Sequence, residues 1–559
     1  MLKRALHEDS PQEPPAKRTR QPDRLSSLSD ELLLHVLSFL SIPSLITCQR
    51  FAALAGDSEL WKRKYYSRWV WPRARRIRQV RQGSTARRSI EYSPRVSNWF
   101  NHGPLTKVGE DRNWKGQYRL QHNWSRGSCR VTEVEVAKHQ IAPVVVKLEH
   151  GIVFTADAEN GLRAWSIKDT KKCLATASFA GIESPGSPTA VAVTPDEQKQ
   201  GNFDVTVGFG DGGIAVYSFT SHPSEDPSFE LQLWHPNSAE TAITALASDK
   251  DFLLILSDDK VLYLYQICRE TNIGQSQDEK KQPPPRLIAS LVANNIQSPF
   301  SLSVRTTSTH AIASVTYTFP RIGCGWSVGI QELYWSKENG DLTSRLATTV
   351  DSQYIGNTLT EHTTSLKGSR QGQRSTPESP TPLTPSLSYT QPPTSLSYSH
   401  PYLLASHADN TLTMYLVVST VDNLAIKTGR RLWGHTSAVS GVQVSSRGKA
   451  VSVSTKGDEI RIWELEDVIS SRPASKAALL GDRSVQLSPE PRRPRPNPFT
   501  VISRAVERQV AAMEGARRGI SSEITLSCIK GPVEFDDEQV VVLREQKVGT
   551  QLLGCYDFT

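Results

Sequence analysis

Two periodicities divide the chain. In "LSDELLLHVLSFL", residues 28–40, Leu32, Leu33, Val36, Leu37 and Leu40 recur at i, i+1, i+4, i+5 and i+8, the apolar stripe of a short helix. Leu34 and Phe39 carry the apolar surface past that stripe. Ser29 is placed to cap the helix, with Asp30 and Glu31 favourable in its first turn. Pro43 breaks it, and apolar positions restart at Leu45, Cys48, Phe51 and Leu54. About forty residues of short helices make a poor independent core, so another surface, in cis or in trans, is expected to cover the rest.

From residue 128 the period changes. Short β-branched runs alternate with Gly, Asp and Asn turns, the pattern of an all-β region. A repeat of about fifty residues emerges in which strand-like segments end on an aromatic. These are "ENGLRAW" at Trp165, "DGGIAVY" at Tyr217, "DKVLYLY" at Tyr265, "DNTLTMY" at Tyr415 and "GDEIRIW" at Trp463. An acid stands six residues before the aromatic in four of them: Glu159, Asp211, Asp259 and Asp409. In the last, Gly457 holds that place, with Asp458 beside it. Such an acid can bind backbone N–H groups of a tight turn, while the aromatic packs one sheet on the next. Sheets stacked in a ring bury faces that none buries alone and remove exposed edges. Counting gives blades near 144–178, 188–235, 242–293, 298–348, 400–434, 438–466 and 522–559, seven in all, with six or eight also open. "SCRVTEVEVA" at 128–137 is expected to lend a strand to the last blade and close the ring.

Three stretches are of low complexity: residues 1–24, about 351–399 and about 471–521, the last with a candidate short helix at "VISRAVERQVAAMEGARR". Rich in Pro, Ser, Thr and charge, they are expected to be disordered, the latter two as insertions. Thr376, Ser379, Thr381 and Thr384 each precede a proline, so the second is either a target of proline-directed phosphorylation or an unmodified solvated loop. In the first, Lys3 and Arg4, then Lys17, Arg18 and Arg20, are spaced like a bipartite nuclear signal, and nucleus or cytoplasm is the expected location.

Composition narrows the function. No run approaches the roughly 18 apolar residues of a membrane span, and the charged N-terminus is no secretory signal. Seven cysteines without a CxxC pair suit a reduced intracellular protein without structural zinc. The net charge of +8 is concentrated in 62–95, where "WKRKYYSRWVWPRARRIRQVR" interleaves aromatics with cations. That is either a phosphate- and base-binding surface or a solvated basic face on linker helices. "GFGDGG" at 208–213 lacks the strand–loop–helix setting of a phosphate site, and no GxSxG, HExxH or GxxxxGK[ST] occurs. No catalytic residue, metal site or cofactor is expected.

Residues 28–61 resemble an F-box, through Leu28, Glu31, Leu32, Leu33, Leu37, Leu40, Leu45, Cys48, Leu54, Leu60 and Trp61. Ser29 replaces the family's usual proline, and the stretch between Cys48 and Phe51 is about four residues short, close to one 3.6-residue turn. Gly434-His435 followed by Trp463-Glu464 resembles a WD repeat, in which His435 and Trp463 would join a structural network with the turn acid. Trp114, Trp124 and Gly127 resemble the linker of F-box/WD-repeat proteins. The resemblance implies an α+β multidomain chain: a basic tail (1–24), an all-α F-box (25–66), a basic helical linker (67–127) and an all-β propeller (128–559). It also implies a non-catalytic substrate receptor of an SCF-type ubiquitin ligase. Leu28, Glu31, Leu32, Leu33, Leu37, Leu40 and Leu45 would dock on a Skp-type adaptor and, through it, a cullin and RING subunit. The propeller would hold a protein substrate, by family analogy a phosphorylated segment, and no membrane. The rival reading is a nuclear WD-repeat scaffold that binds nucleic acid or protein through 62–95.

Overall fold

The computed structural model describes residues 28–47, 54–71 and 113–559, apart from 138–143, 168–172, 183–185, 197–200, 222–225, 237, 268–283, 294–295, 322–324, 351–390, 421–422, 458, 467–483, 490–527 and 546–549. The nuclear-signal residues, the Thr-Pro sites, Cys48 and Phe51 lie outside the described residues. Two compact units divide the chain, one ending at Arg119 and the other holding Leu120–Thr559.

The first unit is helical. Helix α1 (Asp30–Phe39) stops where Leu40 turns extended, at φ −68° and ψ 150°. Pro43 falls in the first turn of α2 (Ile42–Thr47), where the missing N–H costs nothing. A 3₁₀ turn (Leu54–Gly56) precedes α3 (Ser58–Tyr65), which Asp57 caps by accepting from Leu60 N at 3.1 Å. A π-helical turn, Tyr66–Val70, extends α3. Ser29 differs from expectation: its side chain makes no cap bond, and its carbonyl alone accepts from Leu33 N. The core collects Leu37, Leu45, Ala55, Leu60, Trp61, Tyr65, Trp114 and Tyr118, the last two from the start of α4 (Trp114–Arg126).

In the second unit seven sheets form a closed ring. Six are meanders in chain order, each led by its innermost strand: Val145–Glu149, Pro188–Pro195, Ile243–Asp249, Gln297–Thr306, Ser395–Ser399 and Val439–Val444. The seventh begins with Cys528–Phe535 and ends, as the pattern predicts, on the strand Ser128–Ala137. That strand pairs antiparallel with Gln551–Asp557. Each innermost strand packs on the next around the ring, the seventh on the first. Seven apolar clusters fill the seven blade interfaces.

Polar links fasten six of these interfaces near the axis. Thr194 shares a 2.7 Å hydroxyl bond with Ser248, and Asp249 accepts from Thr306 N at 2.6 Å. Tyr398 N donates to Ser301, and Val444 N to Ser397, both at 3.0 Å. Gln443 donates to Glu534 at 2.7 Å, and Lys147 completes the seam to the first blade by pairing with Glu534 at 2.9 Å.

Two blade limits differ from the sequence pattern. The fifth blade starts at Ser395–Ser399, inside the stretch expected as an insertion, because Leu396 and Tyr398 are buried on one side of a Ser-rich strand. The sixth blade takes its fourth strand, Ser484–Gln486, from within the third low-complexity stretch, and Ser488–Pro489 then pairs with Ser128–Ala137. Both segments are too short and too polar for an apolar period to show.

Candidate functional site

The apolar stripe of α1 is two stripes. Leu33 and Leu37, one turn apart, are buried at 6% and 4% exposure, and Leu45 is buried completely. Leu32, Val36 and Phe39 follow one another at helical spacing on the open side, at 54%, 42% and 76% exposure, and Leu28, before the extended Ser29, is exposed at 36%. Leu40 and Leu34 are half-buried between them. Of the seven residues expected at an adaptor surface, Leu33, Leu37 and Leu45 therefore spend their side chains inside the unit. Leu28, Leu32 and Glu31 are exposed, and Val36 and Phe39 join them. The backbone and the Ser29 hydroxyl hold the Glu31 carboxyl below its ordinary value.

The helix is held from behind. Trp61 donates from Nε1 to the Ala55 carbonyl at 2.7 Å. Lys64 Nζ donates to the carbonyls of Ser38 and Leu40, each at 2.7 Å, at the carboxyl end of α1. The aromatics of the basic segment are engaged in the same core. Tyr65 and Tyr66 pack on Trp114, with ring centroids 5.6 and 5.8 Å apart. Trp69 lies 4.6 Å from Tyr118, whose hydroxyl accepts from Arg68 at 2.7 Å. Among the described residues of 62–71, Trp71 is the exposed large aromatic.

In the propeller, Asp211, Asp259 and Asp409 stand in the turn between second and third strands. Asp211 accepts from Gly213 N at 3.0 Å, Asp259 from Thr241 at 3.0 Å and from Ser257, and Asp409 from Thr411 at 2.5 Å and from Arg431. In the first blade the turn acid is Asp157, not Glu159. Its buried carboxylate accepts from the backbone of Glu159 and Asn160 and pairs with Arg163 at 2.7 Å, while Glu159 itself is exposed. Tyr217, Tyr265, Tyr415 and Trp463 are buried as the repeat requires, and Trp165 is half-buried.

The WD-like network forms in the sixth blade with one member changed. Ser452 Oγ lies 2.6 Å from His435 Nε2 and 2.7 Å from Trp463 Nε1. The acid is Glu459, which accepts from Thr436 N at 2.9 Å and Arg461 Nε at 2.5 Å and reaches His435 Nδ1 at 3.3 Å. Burial pushes the Glu459 carboxyl up, but the bonds from Thr436 and Arg461 and the nearby imidazole outweigh it and hold it below its ordinary value. Residue spacing missed Glu459 because its longer side chain reaches the turn from one position later than Asp458.

Two arrangements gave no sequence signal. Glu332, fully buried, is bracketed by Arg305 at 3.0 Å and Arg345 at 2.9 Å and accepts from Ser419 at 2.8 Å, joining the fourth and fifth blades. His407, buried in the fifth blade, meets Thr413 Oγ1 at 3.1 Å. Burial, and then the Arg431 charge, push its imidazole down to about 4. "GFGDGG" forms the turn at Asp211, where Gly212 takes φ +85° because a Cβ would meet the Ala239 carbonyl. Among the described residues no group of three or more His, Cys, Asp and Glu is placed to hold a metal ion, and no helix is long and apolar enough to cross a membrane.

Residues 129–559 match the family described as F-box protein pof12 beta-propeller. The F-box protein pof12 of Schizosaccharomyces pombe is 24% identical over 461 residues, covering 79% of this chain and 84% of that protein. Among solved structures, U3-55K matches at 11% identity over 76% of this chain and 98% of its own, with a TM-score of 0.37. The RRP9 WD40 repeats match at 10% over 76% and 97%, also with a TM-score of 0.37. With the family pattern running through all seven blades and helices α1–α3 placed before them, the chain belongs to the F-box proteins that carry the pof12-type β-propeller.

Proposed function

We propose that this chain is the substrate-recognition subunit of an SCF-type ubiquitin ligase. The observation that carries the reading is the open face of α1. Leu32, Val36 and Phe39 form one exposed apolar row on a helix already anchored from behind by Leu33, Leu37 and Lys64, and Leu28 is exposed just before its first turn. Covering such side chains gains about 1.5–3 kcal/mol each on full burial, enough for four of them to supply a stable docking surface. The partner is a Skp-type adaptor that leads to a cullin and a RING subunit. The propeller presents a protein substrate, and this chain supplies proximity, not chemistry. Arg163, Arg431 and Arg461, which flank the turns, are engaged by Asp157, Asp409 and Glu459, so we place no substrate phosphate on them. Import to the nucleus through Lys3, Arg4, Lys17, Arg18 and Arg20 belongs to the same proposal.

Adaptor binding tests it. The wild-type chain is expected to retain a purified Skp-type adaptor in a high-salt pull-down, and Leu32→Asp or Phe39→Asp to abolish retention while the melting midpoint stays put. A wild-type chain that does not bind the adaptor overturns the proposal. The packing of Tyr65, Tyr66 and Trp69 against Trp114 and Tyr118 disfavours the nucleic-acid reading for the described part of 62–95.

A further inference from the structure

The exposed row of α1 faces a difficulty at its carboxyl end. Phe39, its most exposed member, is the last helical residue, and Leu40 leaves the helix in an extended conformation. The last carbonyls of a helix have no partner within it, and an uncapped last turn frays. The helix has no basic residue in its own last turn to bind them. A lysine from another helix does so instead. Lys64, in the last turn of α3, sends Nζ to Ser38 O and Leu40 O, both at 2.7 Å, flanking Phe39 on each side. An ammonium at a helix carboxyl terminus also meets the negative end of the helix dipole. One ammonium thus bridges the carbonyl of the last full turn and that of the extended Leu40, and so holds the backbone on both sides of Phe39 in the observed helix ending.

We propose that Lys64 is a positioning residue for adaptor docking: by clamping the carbonyls on either side of Phe39, it presents the row Leu32, Val36 and Phe39 ready-formed. This rests on the docking reading of α1. Preorganisation of this kind raises affinity by removing the cost of ordering the last turn on binding, not by adding a contact. Burial lowers the pKa of the Lys64 ammonium from its usual value, as expected of a cation turned inward toward the chain.

The test uses the full chain and a purified Skp-type adaptor, comparing wild type, Lys64→Met, Lys64→Arg and Leu32→Asp by calorimetric titration, with hydrogen–deuterium exchange on the free proteins. Lys64→Met is expected to weaken binding about tenfold, Lys64→Arg to keep it within about threefold, and exchange in Lys64→Met to quicken at 37–40 while amides at 58–65 stay protected. If Leu32→Asp abolishes binding and Lys64→Met binds like wild type, the Lys64 inference fails and the docking reading stands. If exchange quickens throughout 30–65, Lys64 is a general structural residue and the inference fails. If wild type itself does not bind, the docking reading fails, and the inference with it.

Discussion

Trp124 stacks face to face on Phe558, with ring centroids 3.9 Å apart and planes 12° from parallel. The pair is locked by polar bonds at its rim. Trp124 Nε1 donates to the Asp537 carbonyl at 2.8 Å, and Asn123 donates to the Phe558 carbonyl at 2.7 Å. Both rings are buried, at 1% and 0% exposure. Phe558→Ala is therefore expected to cost roughly 3–5 kcal/mol, seen as a lower melting midpoint of the propeller. A change under about 1 kcal/mol would mean that the stack merely covers the blade.

The shared hydroxyl of Ser452 gives a second prediction. Ser452→Ala leaves the buried Trp463 Nε1–H without its acceptor and His435 Nε2 without its hydroxyl partner, at about 1–3 kcal/mol each. Trp463→Phe removes that donor. In a urea titration the double variant should lose less than the two single losses added, because the second substitution deletes a donor that the first has orphaned. Strict additivity would show that the three groups do not act together.

For Glu332 the expectation runs against intuition about charge. Glu332→Ala leaves Arg305 and Arg345 facing each other without their carboxylate and should cost about 3–5 kcal/mol. Replacing all three by apolar residues of similar volume should recover most of that loss. Equilibrium unfolding of the wild type and the two variants decides it, and a triple variant as unstable as Glu332→Ala would refute it.

His407 predicts a pH dependence with a definite sign. Its folded value near 4 lies below the ordinary 6.5, so the unfolded chain takes up the proton first. Stability is full above pH 6.5 and is lost as pH falls from 6.5 toward 4, by roughly 3 kcal/mol at about 1.4 kcal/mol per unit. His407→Gln should flatten that part of the stability–pH curve, and an unchanged curve would assign the acid sensitivity to other groups.

The ring was legible because five segments of strand-and-turn chemistry repeat at similar spacing, and because a lone strand at 128–137 had no blade of its own. What sequence left open were matters of direction. Val36 and Leu37 belong to adjacent stripes of one helix, and only the packing with Leu60, Trp61 and Tyr65 of α3, more than twenty residues on, decides that Leu37 faces inward. Asp157 ends its strand and Glu159 stands two residues on, in the turn itself, so spacing alone could not choose between them. Glu332 carried no signal at all, since its partners Arg305, Arg345 and Ser419 come from distant strands.

The pairing of Ser128–Ala137 with Gln551–Asp557 orders events during synthesis. The closing strand leaves the ribosome before the other strands of the ring and waits for a partner made after the first six blades. The α1–α3 unit, built from nearby residues, can fold long before then. A chain cut short before that partner strand would thus carry a folded α1–α3 unit beside a ring left open at its seventh blade.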